Sequence, residues 1–369
     1  MLLKANYLIF LKKILLAFWL FCLYNAQNTY AQDYQIDLSV QNTFNKIFSA
    51  YDFKFDKLAK YRSMFKYSGL TPLNNYPLSK QDSYEKEFDE VWKLVQNDFL
   101  YQDRLSNWQK WKQRFHNQLT TTEAEKKAIK EMLSSLKDEY TSIRDDFKVS
   151  FEPAKNENCV IFYKLKNNIG YIKITDFSSP NLITQFVNAI EKLKKTSAYI
   201  IDLRNNPGGS VDIAFKVFNI LARQGEFVEM VGYLNGIKQK EILTVLPDKI
   251  LSVDGDNLEY LKRLPCLNYN KPIAILINRD TMSAAEMLAG ACKYNNIATL
   301  IGQRTFGKGV VQRVWNLNNH CVVRITSENY FLPNGASING KGLYPDYCIE
   351  NTPKVDNQLN YALSFLSKK

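Results

Sequence analysis

The sequence predicts an α/β (α+β) fold: a core of β-strands and crossover helices, preceded by a small helical N-terminal domain. Three observations carry this. Between residues 81 and 148 apolar side chains recur with helical spacing. From Cys159 onward short apolar runs alternate with helical patterns, the order that yields parallel strands joined by right-handed crossovers. The chain, at 369 residues, is too long for one ordinary core. An apolar fraction of 46% with 23% charged residues is normal globular usage and excludes wholesale disorder. With 15 Gly and 11 Pro the chain is neither collagen-like nor of low complexity.

Residues 1–31 read as an export leader. Lys4, Lys12 and Lys13 stand without an acid, and an 11-residue apolar run, 14–24, follows. That run is too short to span a bilayer, which takes about 20 residues. Thr29-Tyr30-Ala31 then offers small residues at −3 and −1 for signal peptidase. The alternative is an uncleaved membrane anchor. Cleavage would leave a chain that begins at Gln32, carries +8 instead of +11, and resides in the periplasm or cell envelope or is secreted. Residues 32–80 are polar and aromatic, an extension without a clear element pattern.

In the helical domain, 81–148, Phe88, Val91, Trp92, Val95 and Phe99 share one helical face. A second helix after Ser106 turns Trp108, Trp111 and Phe115 inward, and a third opens at the capping box Thr122-x-x-Glu125. The core, 149–355, begins with a hairpin, 159–165 and 169–174, around Asn167-Asn168. A helix starts at Ser179-Pro180 by the N-cap and N1 rule and runs to about Lys195. A buried strand at 199–203 breaks at Asn205-Asn206-Pro207-Gly208-Gly209, and a helix follows through Leu221. Residues 226–264 read as strand and loop. A strand at 272–278, a helix at 284–293 and a strand at 297–301 come next, and 356–369 form a C-terminal tail.

Lys and Arg number 48 against 37 Asp and Glu, yet the lysine runs, Lys126-Lys127 and 192–195, fall on amphipathic helices and read as solvated faces. No nucleic-acid motif is present. Only two histidines occur, His116 and His320, which leaves almost no material for a His-based triad or a multi-His metal site. Beyond the leader, Cys159, Cys266, Cys292, Cys321 and Cys348 are widely spaced without a CxxC pair, so neither a disulfide framework nor a zinc site is indicated. One bridge is open to them in an oxidising compartment.

Chemistry gathers on strand-to-helix turns. Ser283 lies between the strand PIAILIN and the helix AAEMLAGACK, where the amides of the first helical turn could stabilise an oxyanion. This resembles the geometry of a nucleophile elbow, although the G-x-S-x-G pattern is absent. The bland alternative is a capping box, Ser283-Ala284-Ala285-Glu286. A serine needs a base, and Lys308 in Thr305-Phe306-Gly307-Lys308-Gly309 is the candidate once desolvation lowers its pKa. Phe306, Val310 and Val311 would supply the apolar surroundings, and Gln312 a neutral amide to orient the amine. The alternative is a solvated lysine on a Gly-rich turn. Asp202-Leu203-Arg204-Asn205-Asn206-Pro207-Gly208-Gly209 is either an oxyanion-donating nest or a plain turn.

In combination, DLRNNPGG, SAAE on a strand-to-helix turn, and FGKG with its Lys 25 residues after the Ser resemble the carboxy-terminal processing peptidases, the S41 serine peptidases. The likeness extends through YFLPNG and GKGLYPD, and upstream through FDEVWKLVQNDFL and LKDEYT, covering about residues 84–350. It implies a Ser–Lys dyad: Ser283 as nucleophile, Lys308 as base, Gln312 as third residue, and backbone oxyanion donors from Ala284 and from Gly208 or Gly209. It implies no metal and no cofactor. Asp280-Thr281-Met282 and Ala285 depart from the family pattern without removing a catalytic group. Only 27 residues, 142–168, separate Thr141 from Ile169, where a domain needs at least about 50, so the PDZ domain of typical relatives has no room there. The expectation is an exported serine endopeptidase acting on polypeptides. Its rivals are a narrow peptidase against a toxic peptide and a non-catalytic peptide- or lipid-binding protein on the same fold.

Overall fold

The computed structural model describes residues 84–144, 158–317 and 321–369. Residues 1–31, read above as a leader, residues 32–80, read as an extension, and His320 lie outside the described residues.

The first described stretch is helical: α1 (Tyr84–Asp98), the short α2 (Gln109–Arg114) and α3 (Thr122–Ser134). The spacing argument holds in α1, where Phe88, Val91, Trp92 and Val95 are all buried. Trp92 and Trp108 lock together, each indole N–H donating to the other's carbonyl at 3.0 and 3.1 Å. The cap of α3 sits one residue earlier than its capping box suggests. Thr121 is extended (φ −141°, ψ 156°), which turns its hydroxyl back to accept the Ala124 N–H, whereas Thr122 is already helical. These helices close no core of their own. Val91, Val95 and Ile129 share one apolar cluster with Cys321, Val323 and Ile325 from the strands that follow.

A six-stranded sheet carries the crossovers. Its strands are β2 (Val160–Lys164), β3 (Ile169–Ile174), β4 (Ala198–Asp202), β9 (Ile273–Ile277), β10 (Thr299–Gly302) and β13 (Tyr347–Cys348), ordered β13-β10-β9-β4-β3-β2. Only the β2–β3 hairpin is antiparallel; the other pairs are parallel. Asn167 and Asn168 adopt φ of 61° and 59° in the hairpin turn, a conformation asparagine tolerates well. The crossover helix α4 (Leu182–Lys192) begins later than the Ser-Pro rule places it. Ser179 Oγ is used by the preceding turn, where it accepts the Asn181 N–H at 3.3 Å. After β4 comes α5 (Val211–Leu221), and after β9 comes α6 (Ala284–Tyr294). Residues 356–369 are not a loose tail. They form α7 (Asn357–Leu366), whose Ala362 and Leu366 join the core cluster of Ile200, Ala274 and Leu276.

The second sheet is antiparallel. The stretch read as strand and loop is a regular meander of β5 (Gly225–Leu234), β6 (Ile237–Val245), β7 (Lys249–Asp254) and β8 (Asn257–Lys262). β12 (Val322–Phe331) pairs with β5, with β1 (Ser142–Arg144) and with β11 (Val310–Asn316). Thus β1 ties the helical stretch into this sheet. Among the described residues, Cys159, Cys292 and Cys321 are buried and Cys348 is exposed. His116 is a surface residue 3.6 Å from Glu85.

Candidate active site

Parallel β4 and β9 are neighbours, with Asp202 opposite Leu276, so the turns leaving their carboxyl ends lie side by side. In open α/β sheets that edge is where ligands bind. The two turns are sewn together. Asn278 accepts the Asn205 N–H at 2.9 Å and returns a side-chain bond to Asn205 Oδ1 at 2.6 Å. Thr281 Oγ1 donates to Leu203 O at 2.9 Å, and the Met282 N–H donates to Asn206 O at 3.0 Å.

This stitching delivers Ser283 in an unusual state. Its backbone has φ 55° and ψ −120°, a region that L-residues enter only where surrounding structure holds them there. An ordinary N-cap is extended. Gly208 explains part of the constraint: a Cβ there would stand 2.8 Å from Ser283 Cβ and 3.0 Å from Ala284 N. Only a glycine lets the two turns approach this closely. Gly209 lies against Phe177 instead, where a Cβ would meet the carbonyl carbon at 2.5 Å. The Gly208 N–H is not free, because it donates to Asn206 Oδ1 at 2.9 Å. Asp202 and Arg204 of the same motif serve the frame. Asp202 is fully buried, accepts from Tyr171 Oη at 2.6 Å and pairs with Arg204, which reaches Asp356 at the start of α7 at 2.7 Å.

Glu286 is the residue that sequence reasoning under-read. Its carboxylate, fully buried, accepts the Ser283 N–H at 2.8 Å, the Gly307 N–H at 2.7 Å and the Lys308 N–H at 2.9 Å, and also the Thr305 hydroxyl. Four donors fill the acceptor sites of an ionised carboxylate. Burial pushes its pKa up, and these hydrogen bonds pull it back. The capping-box spacing did mark Glu286, but its partners 21 and 22 residues onward have no local signature. Through this one side chain the serine's backbone and the lysine's loop are held in common.

The Lys308 loop is built by backbone packing. A Cβ on Gly307 would meet Gly342 N at 2.6 Å, and one on Gly309 would meet Asn339 N at 2.5 Å. So the FGKG glycines admit the 338–342 loop. Burial lowers the Lys308 pKa to about 8, assisted by Arg324 and Arg144 and opposed by Glu286 and Asp138. The shielding differs from expectation. Phe306 points outward and is 46% exposed, whereas Val310 and Val311 are buried. The aromatic ring beside the amine is that of Tyr140, with Nζ 4.9 Å from its centroid. Gln312 stands at a β-bulge, and its amide donates to Val310 O at 3.5 Å. Among the described residues no hydrogen bond joins Lys308 Nζ to Ser283 or Gln312, and no three His, Cys, Asp or Glu gather as a metal site would.

Comparisons with known proteins agree with this frame. The family model for peptidase family S41 matches residues 168–349. A carboxy-terminal-processing protease of Bartonella bacilliformis is 32% identical over 194 residues, 51% of this chain and 40% of that protein. The carboxy-terminal processing protease CtpA of Bacillus subtilis is 33% identical over 181 residues, 48% of this chain and 34% of that protein. The matched stretch therefore spans well under two thirds of these relatives. Among solved structures, a photosystem II D1 C-terminal processing protease superposes with TM-score 0.57 at 19% identity, covering 78% of this chain and 98% of its own. A lipoprotein from Streptococcus agalactiae gives 0.58 at 18%, covering 80% and 99%. At such identities the likeness is one of fold. The sequence match places residues 168–349, about half of the chain, in peptidase family S41.

Proposed function

We propose that this chain is an exported serine endopeptidase that hydrolyses polypeptides through a Ser283–Lys308 dyad. The observation that carries the reading is the backbone of Ser283, whose φ of 55° departs from the extended conformation of an ordinary N-cap even though Glu286 closes a capping box on it. A residue held in such a conformation has been placed for something other than its own helix. Lys308, with a pKa lowered to about 8 by burial, supports the same reading. An ordinary lysine, near 10.4, is almost wholly protonated at neutral pH and cannot take a proton.

In the proposed cycle the neutral Lys308 amine removes the Ser283 hydroxyl proton as Oγ attacks the scissile carbonyl. The negative charge on the carbonyl oxygen is met by the Ala284 N–H, at the positive end of α6, and by the Gly209 N–H. Gly209 is preferred because the Gly208 amide already donates to Asn206. Lys308 returns the proton to the departing amine, leaving an acyl-Ser283 ester. A water deprotonated by Lys308 hydrolyses the ester and restores the serine. Gln312, four residues after Lys308, would orient the amine once its side chain leaves Val310 O. Activity should rise with pH through about 8, since only the neutral amine acts. With 15 residues, 145–159, between β1 and β2, substrate selection falls to the core itself instead of a PDZ domain.

Cleavage of an unfolded, casein-like polypeptide by the Gln32-to-Lys369 chain tests this. Ser283→Ala should lose several orders of magnitude in rate and remain folded, and chelators should do nothing. A Ser283→Ala protein that unfolds more easily yet still cleaves would return Ser283 to the role of a cap.

A further inference from the structure

We infer that Tyr140 is a positioning residue for the base, its ring forming the wall against which the Lys308 amine rests. The inference builds on the Ser283–Lys308 reading. Lys308 Nζ stands 4.9 Å from the Tyr140 ring centroid, within the range at which a ring face meets an amine. The ring is part of a fixed structure. Tyr140 lies in the turn between α3 and β1, and that turn is bonded on both sides of it. Asp138 Oδ2 accepts the Thr141 hydroxyl at 2.6 Å and the Thr326 hydroxyl at 2.7 Å, while Thr141 Oγ1 accepts the Thr326 N–H at 3.1 Å. Thr326 pairs across the sheet with Gln312, four residues beyond the lysine. The wall and the base loop are thus anchored to the same two strands.

An aromatic ring suits this position because it excludes water without offering a basic atom to hold the proton. Two effects oppose each other. The ring face attracts an ammonium, and the ring's bulk strips the amine of water, which favours the neutral form. Desolvation by burial is the largest cause of the lowered Lys308 pKa, and a ring seated beside the amine adds to that burial. The charged groups facing the amine come from four elements: Arg324 on β12, Arg144 on β1, Glu286 on α6 and Asp138 in the turn of Tyr140 itself. All four persist when Tyr140 is replaced, so a shift in the titration reports the ring. The Tyr140 hydroxyl is engaged by Glu139, which leaves the ring face as the part of Tyr140 turned to the amine.

The test is the rate at which a fluorophosphonate labels Ser283, measured from pH 6 to 10 in wild type, Tyr140→Leu and Tyr140→Phe. In wild type the rate should rise through a midpoint near 8. Tyr140→Leu should move that midpoint toward the usual lysine value, and each unit of movement lowers labelling at pH 7 about tenfold. Tyr140→Phe should keep the wild-type midpoint. A Leu variant that titrates like wild type overturns the inference. So does a Phe variant shifted to alkaline pH, which would assign the effect to the hydroxyl and decides the matter even where the Leu variant does not fold. A wild type that labels equally at every pH removes the Ser–Lys reading itself, and the inference with it.

Discussion

Two turns in this molecule look alike in sequence and behave differently in structure. Each leaves a buried parallel strand and ends in a serine before an apolar helix: Ser210 after β4, and Ser283 after β9. Ser210 is an ordinary cap. It is extended at φ −72° and ψ 125°, and its hydroxyl accepts the Ile213 N–H at 3.3 Å. Ser283 sits at φ 55° with its backbone N–H held by Glu286 and Gly208 pressed against its side chain. Local sequence specifies a serine at a helix start in both places. Tertiary contacts decide that one stabilises its helix and the other is held in a conformation costing about 1–3 kcal/mol.

Short of removing the Ser283 hydroxyl itself, the largest effect on this contrast should come from Glu286→Gln. An amide cannot accept four hydrogen bonds, so the backbones of Ser283 and Lys308 lose their common anchor. Displacements of about 1 Å in a catalytic constellation cost on the order of a hundredfold in rate. The expected outcome is a loss of kcat of about that size with KM little changed. Retention of wild-type kcat would show that the two loops are positioned without the carboxylate.

Substitutions at the serines themselves should move stability in opposite directions. Ser210→Ala removes a working cap and should cost about 1 kcal/mol while leaving activity intact. Ser283→Gly should abolish activity yet raise stability by about 1 kcal/mol, because glycine adopts positive φ without strain. Guanidinium denaturation midpoints for the two variants check this. A Ser283→Gly protein destabilised as much as Ser210→Ala would mean that Ser283 caps its helix after all.

Much of this was legible in the chain. Apolar spacing located α1 through Phe88, Val91 and Val95, and the strand-turn-helix grammar located Ser283 and the glycine turn that precedes Ser210. At the site, what escaped was of one physical kind, contacts between residues far apart in sequence. Phe306, next to Lys308 but two residues ahead of it, looked like its shield and points to solvent instead, while the ring that faces the amine arrives from Tyr140. Glu286 carried a local signature, the capping box, which hid its longer-range bonds. Residues 226–264 concealed a meander because β8, at the edge of its sheet, leaves Leu258 and Tyr260 exposed and so lacks a clean inside-outside alternation. Helix starts slipped by one or two residues: Thr121 caps α3 in place of Thr122, and the Ser179 hydroxyl is spent on the turn before α4.

The central claim is that Ser283 is a nucleophile activated by a neutral Lys308. Mass-spectrometric mapping of the fluorophosphonate adduct, in wild type and in Lys308→Arg, tests it most directly. Arginine keeps the positive charge but does not give up its proton in this range. The expected result is a single adduct on Ser283 in wild type, and labelling reduced by orders of magnitude in a folded Lys308→Arg protein. An adduct on another serine, or an arginine variant labelled at the wild-type rate, would contradict it.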